Sequence, residues 1–136
     1  MSDKPPPVLQ ALVLADHIYT DESGKRIICG TFSRVWCGQF PTVFSRPTWA
    51  YILLAEVIGR PVLQLRFVML NNNRILMQSP KLTIGASSPL VSLDIAIEIP
   101  NLPLPSPGTY GVECVVDDAL IGCVRLQVSE KTQTQD

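Results

Sequence analysis

The chain has 136 residues, 46% of them hydrophobic and 17% charged, and a formal net charge of −1. This size and composition predict one packed globular domain, not two domains or a disordered chain. The sequence contains eleven Lys and Arg residues and twelve Asp and Glu residues, without a dense run of either sign. Because nucleic-acid binding usually requires clustered positive charge, we expect no nucleic-acid partner.

The two ends of the chain differ from its middle. Residues 1–7 are polar and proline-rich, and residues 130–136 are polar with repeated Gln and Thr. We interpret both as flexible tails around a single domain of residues 8–129. The first segment lacks the basic and apolar regions of a secretory signal, and no apolar run approaches the roughly 18–20 residues of a membrane-spanning helix. The sequence therefore predicts a soluble, cytoplasmic protein without membrane insertion.

The first predicted elements form a hairpin. Residues 9–20 are a long extended segment, residues 21–25 contain the Asp and Gly of a turn, and residues 26–36 return. A proline-rich connection at residues 40–47 follows. Residues 49–57 are almost continuously apolar, which is typical of a strand buried on both faces.

Alternating apolar residues indicate two further strands. Residues 63–69 alternate in this way and lead into a turn at residues 71–73 and a short return at residues 75–78. In residues 93–99 four apolar side chains point one way: Leu93, Ile95, Ile97 and Ile99. A second proline-rich connection, residues 100–108, cannot form a helix or a central strand, because each Pro lacks an N–H.

The last predicted element is a hairpin of residues 110–116 and 119–129. Its register has two alternatives. A loop at Asp117 and Asp118 would set Cys114 opposite Ile121, whereas a loop one residue later would set it opposite Cys123. Only the second alternative brings the two thiols close together.

The strands together predict an all-β fold, because no segment has a helical period. We expect a two-layer antiparallel β-sandwich, immunoglobulin-like or related, with about seven or eight strands. Residues 9–128 resemble an uncharacterised bacterial family of short β proteins in these motifs: Ala11-Leu-Val-Leu-Ala-Asp16, Ile27-Ile-Cys-Gly-Thr-Phe32, Phe40-Pro41, Gly108-Thr-Tyr110 and Val115-Val-Asp-Asp-Ala-Leu-Ile-Gly122. This resemblance implies a sandwich fold, with no known activity or site residues.

The sequence predicts no catalytic residue and no cofactor. His17 is the single histidine, and no Gly-x-Ser-x-Gly motif accompanies it. No dinucleotide or phosphate-loop motif is present. The four cysteines, Cys29, Cys37, Cys114 and Cys123, lie in apolar segments, so we expect buried thiols rather than a metal site or a disulfide. Trp36 and Trp49 are expected in the core.

Four acidic residues are weak candidates for a metal site: Asp16, Asp21, Asp117 and Asp118. They would form an oxygen-rich cation site only if their turns met at one tip of the sandwich. Because Asp is also a standard turn residue, we favour turn formation over metal binding.

The composition and the absence of catalytic motifs favour a non-catalytic protein-interaction module. It would act as a homo-oligomer or as an accessory subunit of a bacterial assembly, since exposed apolar patches and strand edges mark interfaces. The alternative is a sandwich that binds a ligand or cation at its acidic loop tips. An enzyme is the third and least favoured hypothesis.

Overall fold

The computed structural model describes residues 4–131, and these form twelve strands and no helix. The predicted all-β fold is confirmed. The strands are β1 Val8–Thr20, β2 Arg26–Thr31, β3 Arg34–Cys37, β4 Thr42–Phe44, β5 Thr48–Ala55, β6 Val62–Met69, β7 Arg74–Gln78, β8 Leu82–Thr83, β9 Leu93–Ile99, β10 Leu102–Leu104, β11 Gly108–Val116 and β12 Ala119–Glu130. No helix in this part of the chain is long and apolar enough to cross a membrane.

Two sheets pack around one core. A four-stranded sheet has the order β2-β1-β5-β9, and a six-stranded sheet has the order β3-β12-β11-β6-β7, with β8 also paired to β6. All pairs are antiparallel except β12 with β3, which is parallel. The strands outnumber the expected seven or eight because the connections themselves form short strands.

The inward faces follow the alternation in the sequence. In β6 the side chains of Leu63, Leu65 and Phe67 are at most 2% exposed. In β5 only one face is fully buried, and the other, which carries Trp49, is half-buried. The prediction of a strand buried on both faces is therefore wrong, because no layer packs fully over this outer face of the four-stranded sheet.

The predicted return strand of residues 26–36 is interrupted. Gly30 adopts a φ of 72°, which favours glycine, and β2 ends at Thr31. The chain then crosses to the other sheet, where Gln127 donates a backbone hydrogen bond to the carbonyl of Ser33 at 2.8 Å. Residues 26–36 thus contribute one strand to each sheet.

The two proline-rich connections pair with each other. Residues 42–44 and 102–104 form the isolated ribbon β4–β10, in which Pro103 lies opposite Val43. A ribbon of two edge strands tolerates a residue without an N–H. These segments are therefore short strands rather than plain crossing loops.

The β11–β12 hairpin turns at Asp117 and Asp118, whose φ values are 48° and 64°. Positive φ at both central residues is the geometry of the two-residue turn that suits a twisted hairpin. A bulge between Cys114 and Val115 then shifts the register, so Cys114 lies opposite Gly122. Neither expected register is correct, because neither allowed for a bulge.

The sandwich has two distinct ends. At the proximal end, where β1 begins, residues 4–7 lie beside the 58–61 connection and the 116–119 turn. At the distal end, where β1 finishes, β3 pairs with the last residues of β12. The expected tails fall partly outside the described residues; within these, Pro7 is buried and Glu130 ends β12.

Tyr110 joins the start of β11 to the preceding connection. Its ring is fully buried and stacks on Phe67, with 5.2 Å between ring centroids. Its hydroxyl donates to the carbonyl of Ser106 and accepts from the Ser106 N–H at 3.3 Å. This is the arrangement of the tyrosine corner in Greek-key sandwiches.

Replacing Tyr110 with Phe should lower the free energy of unfolding by about 1 kcal/mol, because the partly buried Ser106 carbonyl loses its donor. Urea unfolding measures this change. Tyr19→Phe is the matched control, since Tyr19 is 52% exposed, and its stability should match the wild type. Equal stability of Tyr110→Phe and the wild type would contradict the role of this hydrogen bond.

Candidate functional site

Asp21 organises the β1–β2 turn. Its carboxylate accepts hydrogen bonds from the Ser23 hydroxyl at 2.7 Å, the Ser23 N–H at 2.9 Å and the Lys25 N–H at 2.9 Å. These bonds, chiefly that from the Ser23 hydroxyl, lower the pKa of Asp21. The carboxylate is thus engaged in turn formation.

The other acidic candidates lie elsewhere. Asp117 accepts from the Val62 N–H at 2.9 Å and lies with Asp118 at the proximal end. Asp21 is at the distal end, and a strand the length of β1 spans roughly 40 Å. Asp16 pairs with Arg46 at 3.2 Å. The structure therefore does not bring the acidic turns together, and residues 4–131 contain no cluster of three His, Cys, Asp or Glu side chains suited to a metal ion.

His17 packs among aromatic rings. The centroid of its ring lies 4.1 Å from that of Tyr19 and 5.0 Å from that of Trp49. Cys29 lies opposite His17 in the β1–β2 register, but among the described residues no hydrogen bond joins the two side chains. This geometry does not provide the aligned base of a nucleophile–histidine pair.

The cysteines are free but not uniformly buried. Cys114 is buried, Cys37 is half-buried, and Cys29 and Cys123 are exposed. The expectation of buried thiols is wrong for Cys29 and Cys123. Cys123 faces outward in β12 and Cys29 lies on the edge strand β2, so neither points into the core.

Trp36 is also misplaced by sequence reasoning. It is 53% exposed, because β3 is an edge strand of four residues in which Val35 points into the core. Trp36 and Arg34 therefore share the outward face. The alternation Arg34-Val35-Trp36 is consistent with an exposed Trp36, but this interpretation requires knowing that β3 begins at Arg34.

An open cleft of about 610 Å³ lies at the distal end. We call it the distal cleft. Phe32 and Phe44 contribute apolar walls, with 6.2 Å between their ring centroids. The remaining lining residues come from β1, the end of β2, β3, the β4–β5 connection and the chain after β12: Asp16, Gly30, Thr31, Arg34, Val35, Trp36, Arg46 and Lys131.

Positive charge dominates the distal cleft. Arg46 is paired with Asp16, whereas within residues 4–131 the Arg34 and Lys131 side chains form no ion pair or hydrogen bond. The parallel β3–β12 register sets Arg34 opposite Gln127 and places Lys131 four residues further along the chain, beyond Trp36, where its N–H donates to the Cys37 carbonyl at 2.7 Å. Both cations line the cleft, one on each side of the indole. The cleft thus has a local charge of +2, from three cations and one carboxylate, in a chain with net charge −1.

The proximal end carries a different surface. Six of the eleven exposed large hydrophobic side chains in the described part of the chain lie there: Val8, Ile58, Leu82, Leu90, Val91 and Leu120. We call this surface the apolar end. The expected exposed apolar surface therefore concentrates at one end of the sandwich.

The fold and the family of the chain can now be stated together. The chain is an all-β sandwich protein with a positively charged cleft at one end. A family model, described as a family of unknown function (DUF6941), matches residues 10–129, so the chain belongs to this family. The expected membership of an uncharacterised family is confirmed, and the bacterial origin stays a prediction. No curated protein matches the chain.

A solved structure with a related outline is the alkylpurine DNA glycosylase AlkC of Pseudomonas fluorescens, bound to DNA containing an abasic site analogue. The match covers 87% of this chain and 30% of that one, at 11% identity and a TM-score of 0.46. Because that structure contains DNA, our exclusion of nucleic acid as a partner is overturned and we withdraw it. At this similarity the match does not assign DNA binding to the present chain.

The thiols should differ in reactivity toward iodoacetamide at pH 8. Burial raises the pKa of Cys114 to about 11, so only about 0.1% of this thiol is ionised at pH 8. Peptide mass spectrometry should show Cys29 labelled first and Cys114 labelled only after unfolding in urea. Rapid labelling of Cys114 in the folded protein would contradict its position in the core.

Proposed function

We propose that this protein is a non-catalytic interaction module that self-associates through the apolar end. The observation that carries the proposal is the exposure of Leu90, which reaches 95%. Its neighbour Val91 is 48% exposed. Burying one leucine side chain is worth about 1.5–3 kcal/mol, so a contact that covers this surface gains substantial free energy.

The turn that presents Leu90 is ordered by its own hydrogen bonds. The Ser88 hydroxyl accepts from the Leu90 N–H at 3.1 Å, and the Ser88 carbonyl accepts from the Val91 N–H at 3.1 Å. An apolar side chain on a preformed turn binds without a large loss of backbone entropy. The ordered turn therefore supports the role of Leu90 as a contact residue that is already in position before association.

The charges around the apolar end favour a second copy as the partner. Exposed Arg60 and Lys81 lie at the same end as exposed Glu56, Asp117 and Asp118. In a two-fold contact the same surface meets itself, so a rim with both signs of charge lets opposite charges face each other. A rim of one sign would repel its copy.

We also propose a reducing, cytoplasmic setting. The support is chemical: all four cysteines are free, and two of them are exposed. Disulfides form readily in oxidising compartments and are rare in the cytosol.

The self-association prediction is tested by sedimentation velocity between 1 and about 200 µM, a range chosen for typical weak dimers. The wild type should form a concentration-dependent dimer. Leu90→Glu should weaken the dimer at least tenfold, because two added carboxylates would be desolvated at the contact.

Ile27→Glu provides the matched control, since Ile27 is 49% exposed but lies at the distal end. Its dimer should equal that of the wild type, and thermal melts should show that both variants fold. A strictly monomeric wild type would contradict self-association. A dimer lost in Ile27→Glu and kept in Leu90→Glu would contradict its location.

A further inference from the structure

The distal cleft has the volume of a ligand site. Small-molecule sites commonly have volumes of roughly 300–1,000 Å³, and the open distal cleft has a volume of about 610 Å³. Its walls combine an exposed indole and two phenyl rings with cationic groups. This combination indicates a ligand with both a planar apolar part and a negative part.

Gly30 leaves room for the carboxylate of Asp16 at the edge of the cleft. A Cβ atom at this position would lie 2.6 Å from Oδ2 of Asp16. Asp16 is in turn the partner of Arg46, across 3.2 Å. The glycine thus leaves space for the carboxylate that pairs with Arg46. Among residues 4–131, the side chains of Arg34 and Lys131 have no such partner.

The available charge matches a phosphate monoester. Such a group carries about −1.5 to −2 charges at pH 7 and three acceptor oxygens. Arg34 and Lys131 together supply two positive charges with several N–H donors, and arginine is well suited to phosphate geometry. A single carboxylate would leave one of the two cations without a partner.

Trp36 supplies the surface for the planar part. It is two residues from Arg34 on the same face of β3, and it is 53% exposed. Stacking of a base on an aromatic side chain is worth about 1–3 kcal/mol. The indole and the guanidinium therefore stand side by side, as a base and its phosphate require.

We propose that the distal cleft binds a nucleoside phosphate, with the phosphate on the guanidinium of Arg34, the base on Trp36, and Lys131 adding positive charge on the far side of the indole. The same chemistry occurs in a free mononucleotide and in a nucleotide of a single-stranded nucleic acid. This site is separate from the apolar end, so it stands independently of self-association.

Isothermal titration of the full chain tests the proposal with AMP, adenosine, inorganic phosphate and a short single-stranded oligoadenylate. AMP should bind saturably and at least tenfold more tightly than either adenosine or phosphate, because only AMP uses both parts of the cleft. Oligoadenylate that binds more than tenfold more tightly than AMP would identify single-stranded nucleic acid as the source, and any weaker binding would identify the free nucleotide.

Two variants and a control locate the site. Arg34→Gln should raise the Kd for AMP at least tenfold, and Trp36→Leu at least fivefold. Arg125→Gln, which alters an exposed arginine of β12 outside the cleft, should leave the Kd within twofold. Thermal melts verify that each variant folds.

Three results would overturn the proposal. The first is no saturable binding of AMP by the wild type at millimolar concentration. The second is an unchanged Kd in both Arg34→Gln and Trp36→Leu. The third is phosphate that binds as tightly as AMP, since the base would then contribute nothing.

Discussion

The structure depends on one apolar layer between its two sheets. Inward-facing side chains such as Ile52 and Leu54 from one sheet and Leu65 and Val112 from the other are almost fully buried. Because this layer is closely packed, a chain that changes sheet must do so at an end of the sandwich, where no side chains block it. The two ends therefore acquire the irregular backbone, and both proposed sites lie there.

The sequence predicts well the strands that bury one face. It predicts poorly the strand ends and bulges that depend on contacts with other strands. The alternation in β6 and β9 is visible because each strand meets the core on one side only. The end of β2 at Thr31 and the bulge beside Cys114 leave no such period. Both features depend on contacts with strands that are distant in the sequence. Gly122, opposite Cys114, is an example, because a Cβ atom at this position would collide with Leu9 of β1. Local patterns cannot encode such long-range constraints.

The distal cleft illustrates the same limit for function. A net charge of −1 argues against a site for anions only if the charges are evenly spread. The parallel pairing of β3 with β12 instead brings Arg34 and Lys131, which are far apart in the sequence, into the lining of one cleft. Composition averages over the surface, whereas binding depends on local charge and shape.

The positions of the two surfaces allow both to operate in one assembly. A two-fold contact through Leu90 at the proximal end would join two sandwiches end to end, so each distal cleft would point away from the other. Asp16 in the cleft lies eight residues along β1 from Val8 at the apolar end, which corresponds to roughly 27 Å of strand in each copy. At that distance screened charges interact weakly, because the Debye length is about 8 Å at physiological ionic strength. A nucleotide in the cleft would therefore change self-association only if the packed core transmitted a conformational change.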